Sequence, residues 1–452
     1  MYLKRSISFI FFVLAITSAQ SQSHVSAQAP TITTTGPATL NRFLDQANGM
    51  TADEAVRIAL AGNGELTAMR AERDAVRSLV TQARLRANPS LEANGAKQVN
   101  GPDSSYMVRG SLPLELGGRR NARILVATRE LAVRERAVED RERLLASDVR
   151  MKFGEALAET LKLKFAEDVL ARALQQFRLV QARVVEGKTP PLEENMTLVE
   201  VNRLRSIRET TSGKTEIAFL ELRNLLGMKP EEPLQLRGDF DNLVAPLPVL
   251  ADATANALQV RPDLAGLRAM EDLGEAQIEQ AKAGGRLDAS VTSGYQRINS
   301  SFPLNGVTDT GGLRPIRDVF HFFTFGVTFE LPVLTKNQGA IEAAVTNREA
   351  ARNRREFGEL IVRREVATAF ARYESSAKAM EIFRVGVRGQ ASANLDVVRQ
   401  TYELGARNLI EYLIEERRYI DIGNEFVDMQ FAVYQAKVEM LRAGNSPELI
   451  KK

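Results

Sequence analysis

From Phe323 to Leu331 every odd position is apolar (Phe323, Phe325, Val327, Phe329, Leu331), while the even positions hold Thr324, Gly326, Thr328 and Glu330. Period-two alternation puts the two sets on opposite faces of a strand. Residues 289–296 show a weaker version, with Val291 and Tyr295 set against Ser290, Thr292 and Gln296. Earlier in the chain, Tyr106, Val108, Gly110 and Leu112 alternate with Met107, Arg109 and Ser111, and Leu91 and Ala93 with Ser90, Glu92 and Asn94. The pattern predicts strands near 89–99, 105–113, 288–297 and 319–332. The first three are nine to eleven residues and the fourth is fourteen, enough for a tilted strand to cross a bilayer. A half-buried antiparallel sheet in a soluble domain would alternate in the same way. The membrane reading carries a condition, because four strands cannot close a barrel and an open edge in lipid leaves backbone groups unpaired at a cost of several kcal/mol each. Several copies would have to pool their strands, and three copies would supply twelve, an even number suited to such barrels. The chain has no Trp, so an aromatic girdle would draw on Tyr106, Tyr295, Phe302, Phe320 and Phe322.

A different period governs the rest. Between Arg119 and Glu186 there is no proline and one glycine, Gly154. As one helix this stretch would be about 100 Å long. No proline occurs from Val333 to Ser446 either. In the first long run Leu157, Leu161, Leu163, Phe165, Val169, Leu170, Leu174, Phe177 and Val180 spread over two flanks of a helix. That spread suits a helix with neighbours on both sides, as in the wall of a helical cylinder or the core of an ordinary bundle, and not the single seam of a two-stranded coiled coil. Each long run ends at a glycine, Gly187 followed by Lys188, Thr189, Pro190 and Pro191, and Gly405 followed by Ala406, Arg407 and Asn408. These read as hairpin tips between antiparallel helices.

The chain also runs the same programme twice. Ala55, Ala59, Leu60, Leu66, Arg70, Ala71, Asp74, Gln82 and Ala83 recur 198 positions later as Ala253, Ala257, Leu258, Leu264, Arg268, Ala269, Asp272, Gln280 and Ala281. Val149 and Phe153 recur as Val366 and Phe370, and Gly187 as Gly405. The expected organisation is a first repeat over 49–247, a second over 248–446 and a tail over 447–452. A duplication of this size with so few strands points to a symmetric assembly.

Ahead of the repeats, Lys4 and Arg5 precede an apolar run from Ile7 to Ile16 and the small residues Thr17, Ser18 and Ala19. This is a secretory signal pattern over 1–19, with a second possible junction near Ala27, and the apolar run is too short for a permanent anchor. Residues 20–48, rich in Ser, Thr, Ala, Gln and Pro, read as a flexible leader. The chain has no cysteine, which rules out disulfides, thiolate metal sites and an N-terminal lipid-bearing Cys. With 60 basic against 57 acidic residues interleaved along the helices, nothing suggests nucleic acid. After the signal pattern no 18-residue apolar stretch occurs, so no transmembrane helix is expected. Gly187-Lys188-Thr189 superficially matches the end of a phosphate loop, but Ala182 stands where that motif needs Gly and two prolines replace its helix. Only His24 and His321 are present, so no soft-metal site is expected, and a structural or interfacial role suits His321 better. No catalytic residue, cofactor or resident metal is assigned.

The segment Met50-Thr51-Ala52-Asp53-Glu54-Ala55, with Ala59-Leu60 and Asn63-Gly64-Glu65-Leu66, is echoed by Arg261-Pro262-Asp263-Leu264. Together with Leu225-Leu226-Gly227 and Phe329-Glu330-Leu331-Pro332-Val333-Leu334 it resembles TolC-type outer-membrane efflux proteins over residues 49–446. That resemblance implies a mainly α fold with a small β part. It implies a homotrimer in which a twelve-stranded β-barrel, four strands per chain, sits in outer-membrane lipid and continues as an α-helical barrel through the periplasm. It further implies a passive exit duct for a tripartite pump, docking at its hairpin tips, Gly187 and Gly405, on a periplasmic adaptor that couples it to an inner-membrane transporter of the resistance-nodulation-division class. Lys336-Asn337-Gln338-Gly339 is similar to the cation-efflux branch, which exports cobalt, zinc and cadmium. An exit duct for type I protein secretion and a non-conducting periplasmic helical stalk are the alternatives. By position, Tyr402 and Arg407 match the residues that hold the periplasmic end shut against the other hairpin, Glu193 their acidic partner, and Glu411 the first acidic ring of the aperture. The second ring position falls on Ile414, next to Glu415.

Overall fold

The computed structural model describes residues 42–240 and 249–450. The signal pattern, most of the leader, His24 and the junction between the repeats at 247 and 248 lie outside the described residues.

Each repeat has the same parts in the same order. The first has helices α1 (Ala52–Gly62) and α2 (Gly64–Arg84), strands β1 (Ser90–Lys97) and β2 (Ser104–Pro113), and long helices α3 (Arg119–Val185) and α4 (Pro191–Leu226). The second has α5 (Leu250–Val260), α6 (Pro262–Gly284), β3 (Asp288–Val307), β4 (Leu313–Glu330), α7 (Gln338–Phe383), a π-turn (Arg384–Arg388), α8 (Gly389–Glu403) and α9 (Leu409–Gly444). Local chemistry sets the element starts. Thr51 and Glu54 form a reciprocal capping box at α1, and the Asn63 side chain accepts from Leu66 N at 3.0 Å to open α2. At the equivalent junction of the second repeat Pro262 opens α6, where its missing N–H costs nothing. The shared register reaches single hydrogen bonds: an Arg70 Nη donates to Leu60 O at 2.8 Å, and an Arg268 Nη to Leu258 O at 2.8 Å.

The four strands form one antiparallel sheet in the order β1-β2-β3-β4. In the second repeat they run longer than the alternation predicts, 20 residues in β3 and 18 in β4 against the expected 288–297 and 319–332. Alternation reports a boundary between two environments, and it fades at Asn299, Ser300 and Ser301. Backbone pairing needs no such boundary and continues through an irregularity between Ser301 and Asn305 to the pair Val307–Leu313.

The 67 residues of α3 form one unbroken helix, as expected. The corresponding stretch of the second repeat is interrupted by the π-turn, where the Arg388 guanidinium lies 4.2 Å from the Phe426 ring centroid. Halfway along the helices the main core gathers Phe153, Leu157, Phe219, Leu222, Val366, Phe370 and Val433 from both repeats. A second cluster follows the α3–α4 hairpin away from the sheet through Val169, Ala173, Phe177, Val201 and Leu204, with Ile420 of α9. Both ends of the described residues dock onto the main core. The leader expected over 20–48 is fixed over its described part, because Phe43 is 2% exposed, its ring centroid is 4.9 Å from that of Phe219, and its carbonyl accepts from Leu236 N. In the expected tail, Leu449 is fully buried and its carbonyl accepts from Arg150 Nε at 3.0 Å.

Gly227 closes α4 with φ +75°, and a Cβ there would lie 2.3 Å from the carbonyl oxygen of Gly62, where α1 meets α2. Gly227→Ala combines left-handed backbone strain with a clash against backbone. It is expected to cost about 2–4 kcal/mol, read as a lowered denaturant midpoint by circular dichroism in detergent.

Candidate functional site

Two regions bring chemistry-bearing residues together, the sheet and the hairpin tips. In the sheet, register aligns the apolar stripes of all four strands on one face. Ala93 sits opposite Val108, Val108 opposite Tyr295, and Tyr295 opposite Phe323; one step along, Leu112 sits opposite Val291 and Val291 opposite Val327. The other face carries Asn94, Met107, Arg109, Gln296, Thr324 and Thr328. Phe323, Phe325 and Phe329 are 73%, 82% and 56% exposed in the single chain, far more apolar surface than a water-facing sheet carries. His321 sits on this same face of β4, its Nδ1 hydrogen-bonded to Tyr295 Oη at 2.6 Å and its ring stacked on that tyrosine at 5.9 Å. Among the described residues no group of three or more His, Asp or Glu is placed to hold a metal ion.

At the opposite end both long hairpins turn through the same motif. Lys188 N donates to Arg183 O and Gly187 N to Val184 O; Ala406 N donates to Thr401 O and Gly405 N to Tyr402 O, all at 2.9 Å. Gly187 and Gly405 take φ of +70° and +77°, which a glycine adopts without cost. The turns bring α4 beside α8, and there Tyr402 Oη donates to Glu193 Oε2 at 3.1 Å. Burial, then the Glu193 carboxylate, pushes the Tyr402 hydroxyl up to about 12, so it stays a donor. Arg407 makes a contact within its own hairpin. Its ion pair is with Glu411 of its own hairpin, 2.9 Å away, because Asn408 caps α9 and sets the two residues one turn apart. Glu411 and Ile414 are exposed, whereas Glu415 lies on a more buried side of the helix.

Just inside the tip lies a polar cluster that the sequence reading did not single out. Tyr402 and Tyr412 stack with centroids 5.8 Å apart and planes at 16°, and Tyr412 Oη donates to Glu416 Oε1 at 3.1 Å. Leu409, Leu413, Met196, Leu395 and Val398 pack around the rings. Next to Glu416, the buried Glu200 accepts from Arg203 Nε at 2.9 Å and Arg417 Nη2 at 3.0 Å. Burial alone would raise Glu200, but the two guanidiniums outweigh it and hold the carboxyl below the usual range. Burial pushes Glu416 up to about 7, against the Tyr412 hydrogen bond and with Glu200 adding to the rise. A cavity of about 240 Å³, lined in part by Gln176, Arg399, Glu403, Tyr412 and Glu416, opens beside the pair between α3, α8 and α9. The signal for this cluster was present in the sequence, since Leu409, Tyr412, Leu413, Glu416 and Ile420 form one helical stripe with a single acid inside it.

Comparison with known proteins gives concordant results. The profile of the outer membrane efflux protein family matches residues 55–228 and 254–445, one match per repeat. The cobalt-zinc-cadmium resistance protein CzcC of Cupriavidus metallidurans is 24% identical over 417 residues, covering 89% of this chain and 92% of its own. Among solved structures, CusC superposes with a TM-score of 0.71 at 19% identity, covering 87% of this chain and 91% of its own. A membrane protein from Pseudomonas aeruginosa gives 0.71 at 20%, covering 89% and 94%.

The sheet geometry makes a two-sided test. Phe325→Arg puts a guanidinium on the apolar face and Thr324→Arg puts one on the polar face. The first is expected to cost about 2–4 kcal/mol if that face meets hydrocarbon and to cut recovery in the outer-membrane fraction, while the second leaves recovery near the wild-type level. Equal tolerance of both would show that the apolar face does not meet lipid.

Proposed function

The chain belongs to the outer membrane efflux protein family, and we propose that three copies close their sheets into one twelve-stranded barrel continued by a helical cylinder. The reading rests on a single observation, the apolar face of a sheet whose two edge strands, β1 and β4, have no further strand beside them among the described residues. In hydrocarbon each unpaired peptide group costs several kcal/mol, so lipid forces β1 of one copy onto β4 of the next. The helices support the same arrangement. Phe357, Leu360, Ile382 and Val385 of the second repeat are more than 60% exposed in the single chain, as the flanks of a cylinder wall would be before its neighbours arrive.

In this assembly α3, α4, α7, α8 and α9 cross the periplasm, and the tips at Gly187 and Gly405 meet a periplasmic adaptor coupled to an inner-membrane transporter of the resistance-nodulation-division class. The duct is passive and uses no cofactor. The name of the CzcC relative refers to resistance to cobalt, zinc and cadmium, and the same class of cation is the proposed cargo here. Three copies of Glu411 around a narrow aperture favour cations, with Arg407 offsetting part of that charge. The transporter selects the cargo; the chain supplies a route.

The proposed closed mouth is held where Tyr402 of one hairpin donates to Glu193 of the other. Adaptor binding that prefers separated hairpins shifts the mouth open. Tyr402→Phe combined with Arg407→Ser removes the interhairpin bond and frees Glu411. Single-channel conductance in a planar bilayer is expected to rise several-fold, and an unchanged conductance removes the latch assignment.

A further inference from the structure

We propose that Tyr412 and Glu416 form a second, interior tier of the closed mouth, and that loss of the proton from Glu416 loosens it. The proposal rests on the reading of Tyr402 and Glu193 as the outer latch and adds to it a positioning pair and a control by pH.

Geometry ties the tiers together. Tyr402, on α8, reaches Glu193 of α4 with its hydroxyl and stacks its ring on Tyr412 of α9 at 5.8 Å. Tyr412 in turn donates to Glu416 one turn further along α9. The orientation of the outer phenol is therefore fixed by a ring whose own hydroxyl is anchored on a buried carboxyl. Both anchor residues are about 5% exposed, so their packing persists only while the hairpins stay together.

The charged neighbours of Glu416 leave it poorly supported as an anion. From α4 it faces Glu200 and Arg203, and on α9 Arg417 follows it. Both guanidiniums are engaged by Glu200. Across the cavity α8 presents Asp396, Arg399 and Glu403, α3 presents Arg172, and Tyr419 of α9 completes the set. None of the described ion pairs includes Glu416, and its described hydrogen bond is the one from Tyr412. A carboxyl buried beside another carboxylate, with one phenol as donor, is held most stably with its proton on.

The sign follows from which state holds the proton. Closed, burial raises Glu416 from 4.5 to about 7; with the hairpins apart and water admitted it returns toward 4.5. The closed mouth therefore binds the proton more tightly, is fully favoured at the acid end, and loses that advantage as pH rises through the window up to about 7. Within the window each coupled carboxyl changes the open-to-closed ratio by at most about tenfold per pH unit.

The test compares full-length wild type, Glu416→Gln, Tyr412→Phe and Tyr402→Phe in planar bilayers with both sides taken from pH 5.5 to 7.5. Wild-type open probability is expected to rise about tenfold across that range. Glu416→Gln, isosteric and permanently neutral, is expected to stay closed with a flat profile, and Glu416→Asp to restore the slope. Tyr412→Phe removes the donor that favours the anion, so its midpoint moves to higher pH. A flat wild-type profile, or a Glu416→Gln channel with the wild-type slope, overturns the proposal. Should Glu416→Gln fail to assemble, an unmoved midpoint in Tyr412→Phe overturns it equally. Tyr402→Phe keeps the two readings apart, because an unchanged conductance there defeats the outer latch while the slopes of the other variants still decide the inner tier.

Discussion

Along the outer sides of β1 and β4 a run of peptide groups meets no other strand among the described residues, on a sheet with one broadly exposed apolar face. Water would satisfy the edges and punish the face; hydrocarbon would accept the face and punish the edges. Only closure with further copies removes both penalties. In the proposed assembly chain symmetry follows from that closure, and so does the convergence of the hairpins at the far end. In the proposed trimer, six hairpins rise from one ring of strands, and their length of about 100 Å places the tips well clear of the membrane.

Duplication makes this economical, because one set of local rules is used twice. The Arg70–Leu60 and Arg268–Leu258 hydrogen bonds pin the second helix of each repeat to the first by the same contact. The copies then diverge where their tasks differ. The first repeat carries a continuous 67-residue α3. The second carries the longer strand hairpin, the π-turn at Arg384–Arg388 and the tyrosine-bearing tip. A π-turn inserts a local change of helical pitch, so the helix that carries Tyr402 can twist about that point while α3 stays straight.

Much of the fold was legible in the sequence because two periods announce it: the alternation from Phe323 to Leu331 for the sheet, and the proline-free run from Arg119 to Glu186 for α3. Features that depend on pairing were harder to read. The upper halves of β3 and β4 have no alternation to reveal them, since polar residues occupy both faces there. Phe43 and Leu449 sit in segments of loop-like composition, and their burial comes from Phe219, Leu236 and Arg150, which are remote in the chain. At the tip the resemblance singled out Tyr402 and Glu193, and the fold brings them to 3.1 Å. For Arg407 a residue match carries no information about the Asn408 cap, which in the single chain sets it one turn from Glu411. Glu416 went unread because an acid at helical spacing among apolar residues looks like a surface charge until the opposing helix is in place.

If, as proposed, the mouth is shut at rest and opens on docking, its contacts have to be individually modest and collectively cooperative. In the proposed closed mouth the bond to the Glu193 carboxylate contributes about 1.5–3 kcal/mol and the bond to the protonated Glu416 about 0.5–1.5 kcal/mol. Two tiers in each of three chains therefore sum to an amount comparable with the roughly 8 kcal/mol of one micromolar protein contact. Tyr402 stacks on Tyr412, and in the proposed mouth that contact links the tiers, so that the loss of one weakens the other. Placing one of those tiers on a buried carboxyl lets the resting balance depend on the surroundings as well as on the partner. Both inputs act on the same element, the separation of two antiparallel hairpins, and each works only through its difference in free energy between the closed and open arrangements.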